Sequence, residues 1–325
     1  MFMKLLKGMG YLVYTVIVVF ALLWYKFPAD AFKIRIEKDL NTMTPALQWA
    51  VEEVALIPSF RIRLRNITMR AKKGKETLLT VNSATLRPDF TTWNGPWDNP
   101  RNITAKYTVR LLGGTATGHL GLTKDQSTLE YDGVMESLGI NKKSLPFLEQ
   151  EYRRTVQGTL SGNFSGIRKL KKKDHTLQGQ FTFAKGEIGL QQPVLGMEKL
   201  NFDSIATDLN FDTGTVSFRQ GKVTAPLFAA DFKGDLHLTV PCSLSPIQLA
   251  GSFQPGPEFT TSLNSPSLAA LLQKQIQKGP LTFTVNGPLK EPGIFFTNLP
   301  PVFNRQMGLI RQQQRRQLPQ GSPAK

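Results

Sequence analysis

From Phe60 onward, apolar and polar residues alternate with a period of two. In the run Phe60-Arg61-Ile62-Arg63-Leu64-Arg65, the apolar residues share one face and three arginines the other, which predicts a half-buried strand with a basic outer side. The same alternation predicts strands over 77–86, 103–111, 115–122, 127–134, 155–164, 176–183 and 187–190. It continues over 204–211, 215–219, 222–225, 229–240, 247–253 and 281–285. Gly113-Gly114, Lys185-Gly186, Thr213-Gly214 and Gln220-Gly221 fall between these runs and supply the positive φ that tight hairpins need. No strand–helix–strand alternation is visible, so a doubly wound nucleotide-binding sheet is not expected. The expected fold is mainly β: a long antiparallel, curved sheet, open like a half-barrel or groove, with a few short helices.

Helical spacing interrupts this pattern in a few places. Phe32, Ile36 and Leu40 predict an amphipathic helix over 31–40, and Leu47, Val51 and Val54 predict a second short helix after Pro45. Both are compatible with lying on a membrane surface or with capping the open end of the sheet. Two further helices are predicted over 145–154 and 267–276, the second opened by Ser265-Pro266. Each of these is followed by a strand carrying Val-x-Gly-x-Leu, which suggests an internal duplication relating about 145–166 to 267–289; chance similarity among glycine-punctuated strands is the alternative.

The N-terminus reads differently. Residues 8–25 form an uncharged run between Lys7 and Lys26, about 27 Å long as a helix and close to the hydrocarbon thickness of a bilayer. Tyr11, Val13, Ile17, Phe20, Leu23, Trp24 and Tyr25 are the residues expected to contact lipid, with aromatic rings at both ends. A cleaved signal peptide ending at Ala29-Asp30-Ala31 is the alternative, but the apolar run is long for one and bulky aromatics crowd the site. The expected organisation is an anchor over 1–28, a β-rich domain over 29–304 and a disordered tail over 305–325. That tail carries Arg305, Arg311, Arg315, Arg316 and Lys325 and no acid. Lys26, Lys33, Arg35 and Lys38 follow the run while only Lys4 and Lys7 precede it, so flanking charge by itself would keep the β domain inside.

Charge and candidate chemistry narrow the function. With 40 basic and 24 acidic residues the chain carries a formal charge of +16, which favours anionic partners. The densest cluster comprises Arg168, Lys169, Lys171, Lys172 and Lys173, which could meet phosphate groups or simply solvate a hairpin loop. It lacks the interleaved aromatics of a single-strand binding platform, so no nucleic-acid partner is expected. The lone Cys242 precludes an intrachain disulfide, and His119, His175 and His237 have no second ligand at a metal-binding spacing. Neither a nucleophile elbow nor a phosphate loop occurs, and Glu52-Glu53 and Glu149/Glu151 read as solvated. No enzyme activity, cofactor or metal is expected. A curled meander must bury one face or enclose something with it, so an apolar trough for acyl chains or a partner's strand stands beside an ordinary filled sandwich.

Four stretches carry a family resemblance: Trp24-Tyr25-Lys26-Phe27-Pro28, the glycine-rich run 156–166, the hairpins of 221–238, and 245–251 continuing through 287–292. In these the chain resembles the type II secretion system protein N family (general secretion pathway protein N), in a long form with its own membrane helix. AsmA-like envelope proteins form the broader class it is similar to. The resemblance implies a non-catalytic accessory of the secretion machinery, anchored in the bacterial inner membrane with its bulk in the periplasm. Other secretion-system proteins would then be its partners. The broader class implies a lipid ligand held in the β groove.

Overall fold

In the computed structural model the described residues are 14, 15, 18, 27–44, 46–57, 60–72, 77–89, 103–123, 125, 127–146, 148, 152, 154–170, 174–195, 197–261 and 266–299. Tyr11, Val13, Ile17, Phe20, Leu23, Trp24 and Tyr25 lie outside them, as do Lys171 to Lys173, residues 90–102 and residues 305–325. Half of the predicted 145–154 helix also lies outside. No helix among the described residues is long and apolar enough to cross a membrane.

The protein is mainly β, with strands that follow one another in sequence order as a long open antiparallel sheet. They are β1 (Leu47–Ile57), β2 (Arg61–Ala71), β3 (Thr77–Pro88), β4 (Ile103–Leu111) and β5 (Gly114–Leu122). Then come β6 (Thr128–Ile140), β7 (Val156–Lys169), β8 (His175–Val194), β9 (Met197–Asp212) and β10 (Thr215–Thr224). The series ends with β11 (Phe228–His237), β12 (Pro246–Pro255), β13 (Leu281–Pro288) and β14 (Gly293–Phe296). Among the described residues two α-helices with both ends defined accompany them, α1 (Ala29–Met43) and α2 (Pro266–Ile276). The chain divides into two compact units, residues 1–111 with 116–119, and 112–115 with 120–325.

In the first unit β1 to β4 form a meander whose core is Val51, Val54, Ile67 and Val81, with Phe27, Ile36, Ile62, Leu64 and Val109 packed around it. The helix expected through Leu47, Val51 and Val54 is instead strand β1. The misleading feature is a local break in the ladder. The ladder loses its Glu52–Asn66 rung, Asn66 takes a left-handed φ of 48°, and its amide donates to the Glu52 carboxylate at 2.6 Å. Asparagine tolerates that conformation better than most residues. Glu52 and Glu53 are consequently both exposed, and Val54 returns to the core three positions after Val51, a spacing that imitates a helix.

The helix expected over 31–40 is present as α1, and it lies along the outer edge of β1. Glu37 accepts from the Val51 N–H and Asn41 from the Trp49 N–H, both at 2.7 Å, while Lys33 donates to the Glu52 carbonyl at 3.2 Å. Lys33, Glu37 and Asn41 stand four residues apart on one helix face, so they meet successive backbone groups of a strand that has no outer neighbour. Of the two roles open to this helix from the sequence, the structure shows the edge cap.

The second unit is a ladder from β6 to β14. Two expected hairpins are absent from it. Lys185-Gly186 sits inside β8 and Gln220-Gly221 inside β10, each at a β-bulge that shifts the register without turning the chain. Glycine is needed at Gly221 for another reason: it stands opposite Phe232, whose ring occupies the space a Cβ would fill. At one end of this sheet Leu272 of α2 and Phe259 close over Phe228, Phe253, Leu281 and Phe296, all buried.

Candidate functional site

Alternation along the strands of the second unit divides their side chains cleanly between two faces. On the ladder from β7 to β12 one rung reads Gly166, Leu177, Phe211, Val216, Leu236, Ile247. The next rung on the same face reads Phe164, Gly179, Leu209, Phe218, Gly234, Leu249. The rung between them points the other way and is polar throughout: Ser165, Gln178, Asn210, Ser217, Asp235, Gln248. Ser217 donates to Asp235 at 2.6 Å within it. The sheet therefore has a polar back and an apolar front, and six strands spaced about 4.8 Å apart give that front a width of roughly 24 Å.

The front is covered unevenly. Beneath α2 it forms the closed core already described. Over Phe164, Leu177, Leu209, Phe211, Phe218 and Leu249 the side chains are only half-buried. Antiparallel sheets commonly pack one face on a core, and a large apolar face left partly open marks a binding surface.

One end of this open region is polar. Tyr131 of β6 packs against Phe164 and hydrogen-bonds through its hydroxyl to Nε2 of His175, the first residue of β8. The His175 ring stands edge-on to Phe211 at 5.0 Å. Burial pulls the His175 pKa below its ordinary value, and the nearby Arg168 guanidinium pulls it in the same direction. A lowered pKa favours the neutral imidazole at pH 7, and its tautomer sets which of the two groups donates. Burial raises the Tyr131 pKa, opposed in part by Arg168. Arg168 lies on the front with Phe164 and Gly166, and pairs in register with His175.

The basic cluster singled out from the sequence is thus split. Arg168 joins the front, whereas Lys169 faces the back and pairs with Asp174 at 3.7 Å. Both close strand β7 and are not part of a free loop. The Tyr131–His175 contact joins residues 44 apart in sequence and appears only once three strands are in register, so no local motif announces it. His119 lies in β5 and His237 ends β11, where Thr215 bonds its Nδ1 at 3.2 Å. Among the described residues no group of three or more His, Cys, Asp or Glu could hold a metal ion.

Chemically the front suits an amphiphile: apolar contact over several strands, ending at a fixed cation and a hydrogen-bonding pair. No family model, curated protein or solved structure matches the chain.

Proposed function

We propose that this chain is a non-catalytic bacterial envelope protein that holds lipid acyl chains on the open front of its second unit. The 8–25 run would tether it to the inner membrane, with the β domain in the periplasm. One observation carries the reading: a sheet with a uniformly polar rung behind a half-buried apolar front. A soluble sandwich would bury that front under a second sheet. A retained acyl chain would give Phe164, Leu209 and Phe218 the apolar contact that α2 gives Phe253 and Leu281. Native mass spectrometry of the full chain extracted in mild detergent tests this. Adducts of lipid mass that survive gentle activation support it, and a chain released only in its bare mass contradicts it.

A second reading, an accessory of the type II secretion apparatus, is favoured by where the family-like stretches fall. Runs 156–166, 221–238, 245–251 and 287–292 lie on β7 and on β10 to β13 with their connections. They contribute Gly166, Gly221, Gly234 and Gly251, around which the front is built. On this reading the front, or the lipid on it, is what the secretion machinery engages. Crosslinked membranes should then yield secretion-system subunits with the chain; their absence, together with normal protein release from a deletion strain, removes the reading.

A further inference from the structure

The polar side of the first unit differs from that of the second in being strongly basic. Arg61, Arg63 and Arg65 of β2, Arg87 of β3, and Lys106 and Arg110 of β4 all point away from the Val51–Val81 core. Register sets them close together: Arg87 stands directly opposite Lys106, and Ser83 is opposite both Arg65 and Arg110. Two acids offset this charge, Glu53 pairing with Arg65 at 3.2 Å and Asp89 with Lys106 at 3.4 Å. Arg63, Arg87 and Arg110 have no ion pair among the described residues. Like charges directly across a ladder destabilise it; Asp89 offsets Lys106, while Arg87 facing it has no ion pair among the described residues.

We propose that this basic face docks on an anionic lipid surface. Three observations select a membrane over other polyanions. Phe27 already packs into the core of the first unit, only two positions beyond the uncharged 8–25 run, so no linker separates the unit from that segment. The adjoining helix α1 presents Ile34, 66% exposed, beside Arg35, whose side chain stays exposed while pairing with Asp39 at 3.0 Å, an apolar and a charged side chain suited to a headgroup boundary. Among the described strand residues of this face no aromatic ring stands between the cations for a nucleic-acid base to stack on; Ser83, Thr85 and Thr108 fill the spaces. Cations so close to a charged bilayer each add to its attraction, and the effect decays within a Debye length. The proposal rests on the proposed tether over 8–25 but not on the acyl-binding front, which belongs to the other unit.

A dye on Thr108→Cys, in a Cys242→Ser background, reports on this face. The full chain is reconstituted into nanodiscs of phosphatidylcholine alone or mixed with phosphatidylglycerol, each doped with a headgroup quencher. Quenching should be at least about twofold stronger in the anionic discs at low salt and should fall to the neutral-disc level at high salt. The variant Arg63→Gln/Arg87→Gln/Arg110→Gln should abolish the difference while keeping its circular dichroism, whereas Lys171→Gln/Lys172→Gln/Lys173→Gln should preserve it. Equal quenching in both discs, or loss only in the lysine variant, overturns the proposal. So does a dye response to duplex DNA that matches the response to phosphatidylglycerol, since the face would then be a nucleic-acid surface.

Discussion

Glu37 of α1 accepts a hydrogen bond from the Val51 N–H at 2.7 Å, where the carbonyl of a neighbouring strand would otherwise sit. With Asn41 bonded to Trp49 one step along, the helix substitutes for an additional strand on the outer edge of β1. An edge strand with bare N–H and C=O groups is a template for pairing with other chains.

The variant Glu37→Ala/Asn41→Ala should therefore do two things. Stability should drop by about 1 kcal/mol per lost bond, as expected for partly exposed hydrogen bonds. The uncovered edge should also promote self-association. Urea unfolding and sedimentation velocity of the full chain in detergent check the two effects, and a variant as stable and monodisperse as the parent would show that α1 does not guard the edge.

Glycines in the second unit should differ sharply in tolerance. At Gly251 a Cβ would run into the Asp231 carbonyl and come within 2.8 Å of the Phe283 ring, whereas at Gly214 nothing lies within 4 Å and only a φ of 95° resists substitution. Gly251→Ala should cost about 3 kcal/mol, at the upper end for overpacking. Gly214→Ala should cost nearer 1 kcal/mol, from backbone conformation alone. Urea midpoints measured side by side give the ordering, and equal losses would contradict this packing.

His175 should make stability depend on acid. Its folded pKa lies below the ordinary 6.5, held there by burial and by Arg168. Above 6.5 both folded and unfolded states carry it neutral. As pH falls from 6.5 towards the folded value the unfolded chain takes up the proton first, so stability is lost across that window and no further below it. His175→Gln, whose amide can donate to or accept from the Tyr131 hydroxyl, should flatten the fall in urea midpoint between pH 7.5 and 5, to an extent tempered by the partial exposure of the ring. An unchanged slope would mean that the imidazole titrates as freely in the folded protein as in the unfolded chain.

Much of the sheet is legible in the sequence because alternation is local. Arg61 to Arg65 declare a strand, and 103–111 is recovered residue for residue as β4. What escapes depends on partners. Val51 and Val54 imitate a helix because left-handed Asn66, on the neighbouring strand, breaks the ladder opposite Glu52. Lys185-Gly186 and Gln220-Gly221 look like turns, since nothing local reveals that Gly186 lies under Phe202 and Gly221 under Phe232. The apolar front could be anticipated as a trough, but its rungs could not, because each bulge resets which residues meet. The edge cap was closer to hand: Lys33, Glu37 and Asn41 form a polar stripe at four-residue spacing on a helix whose other residues face the core or solvent.

The front itself should answer to polarity. Replacing Leu209 and Phe218, neighbours across β9 and β10, with glutamine removes apolar contact at half-exposed positions. The sheet should persist by circular dichroism, while lipid retained through detergent extraction should fall several-fold, about 1 kcal/mol or more in binding. Unchanged retention would move the lipid elsewhere.

The most direct test is a map of where an acyl chain lies. The full chain, reconstituted with a fatty acid or phospholipid bearing a diazirine on its tail, is irradiated, digested and read by mass spectrometry. Labels should concentrate on peptides holding Phe164, Leu177, Leu209, Phe211 and Phe218, and thin out in the Leu209→Gln/Phe218→Gln variant. Labelling confined to residues 8–25, with the β7 to β10 peptides clean, would contradict an acyl-binding front.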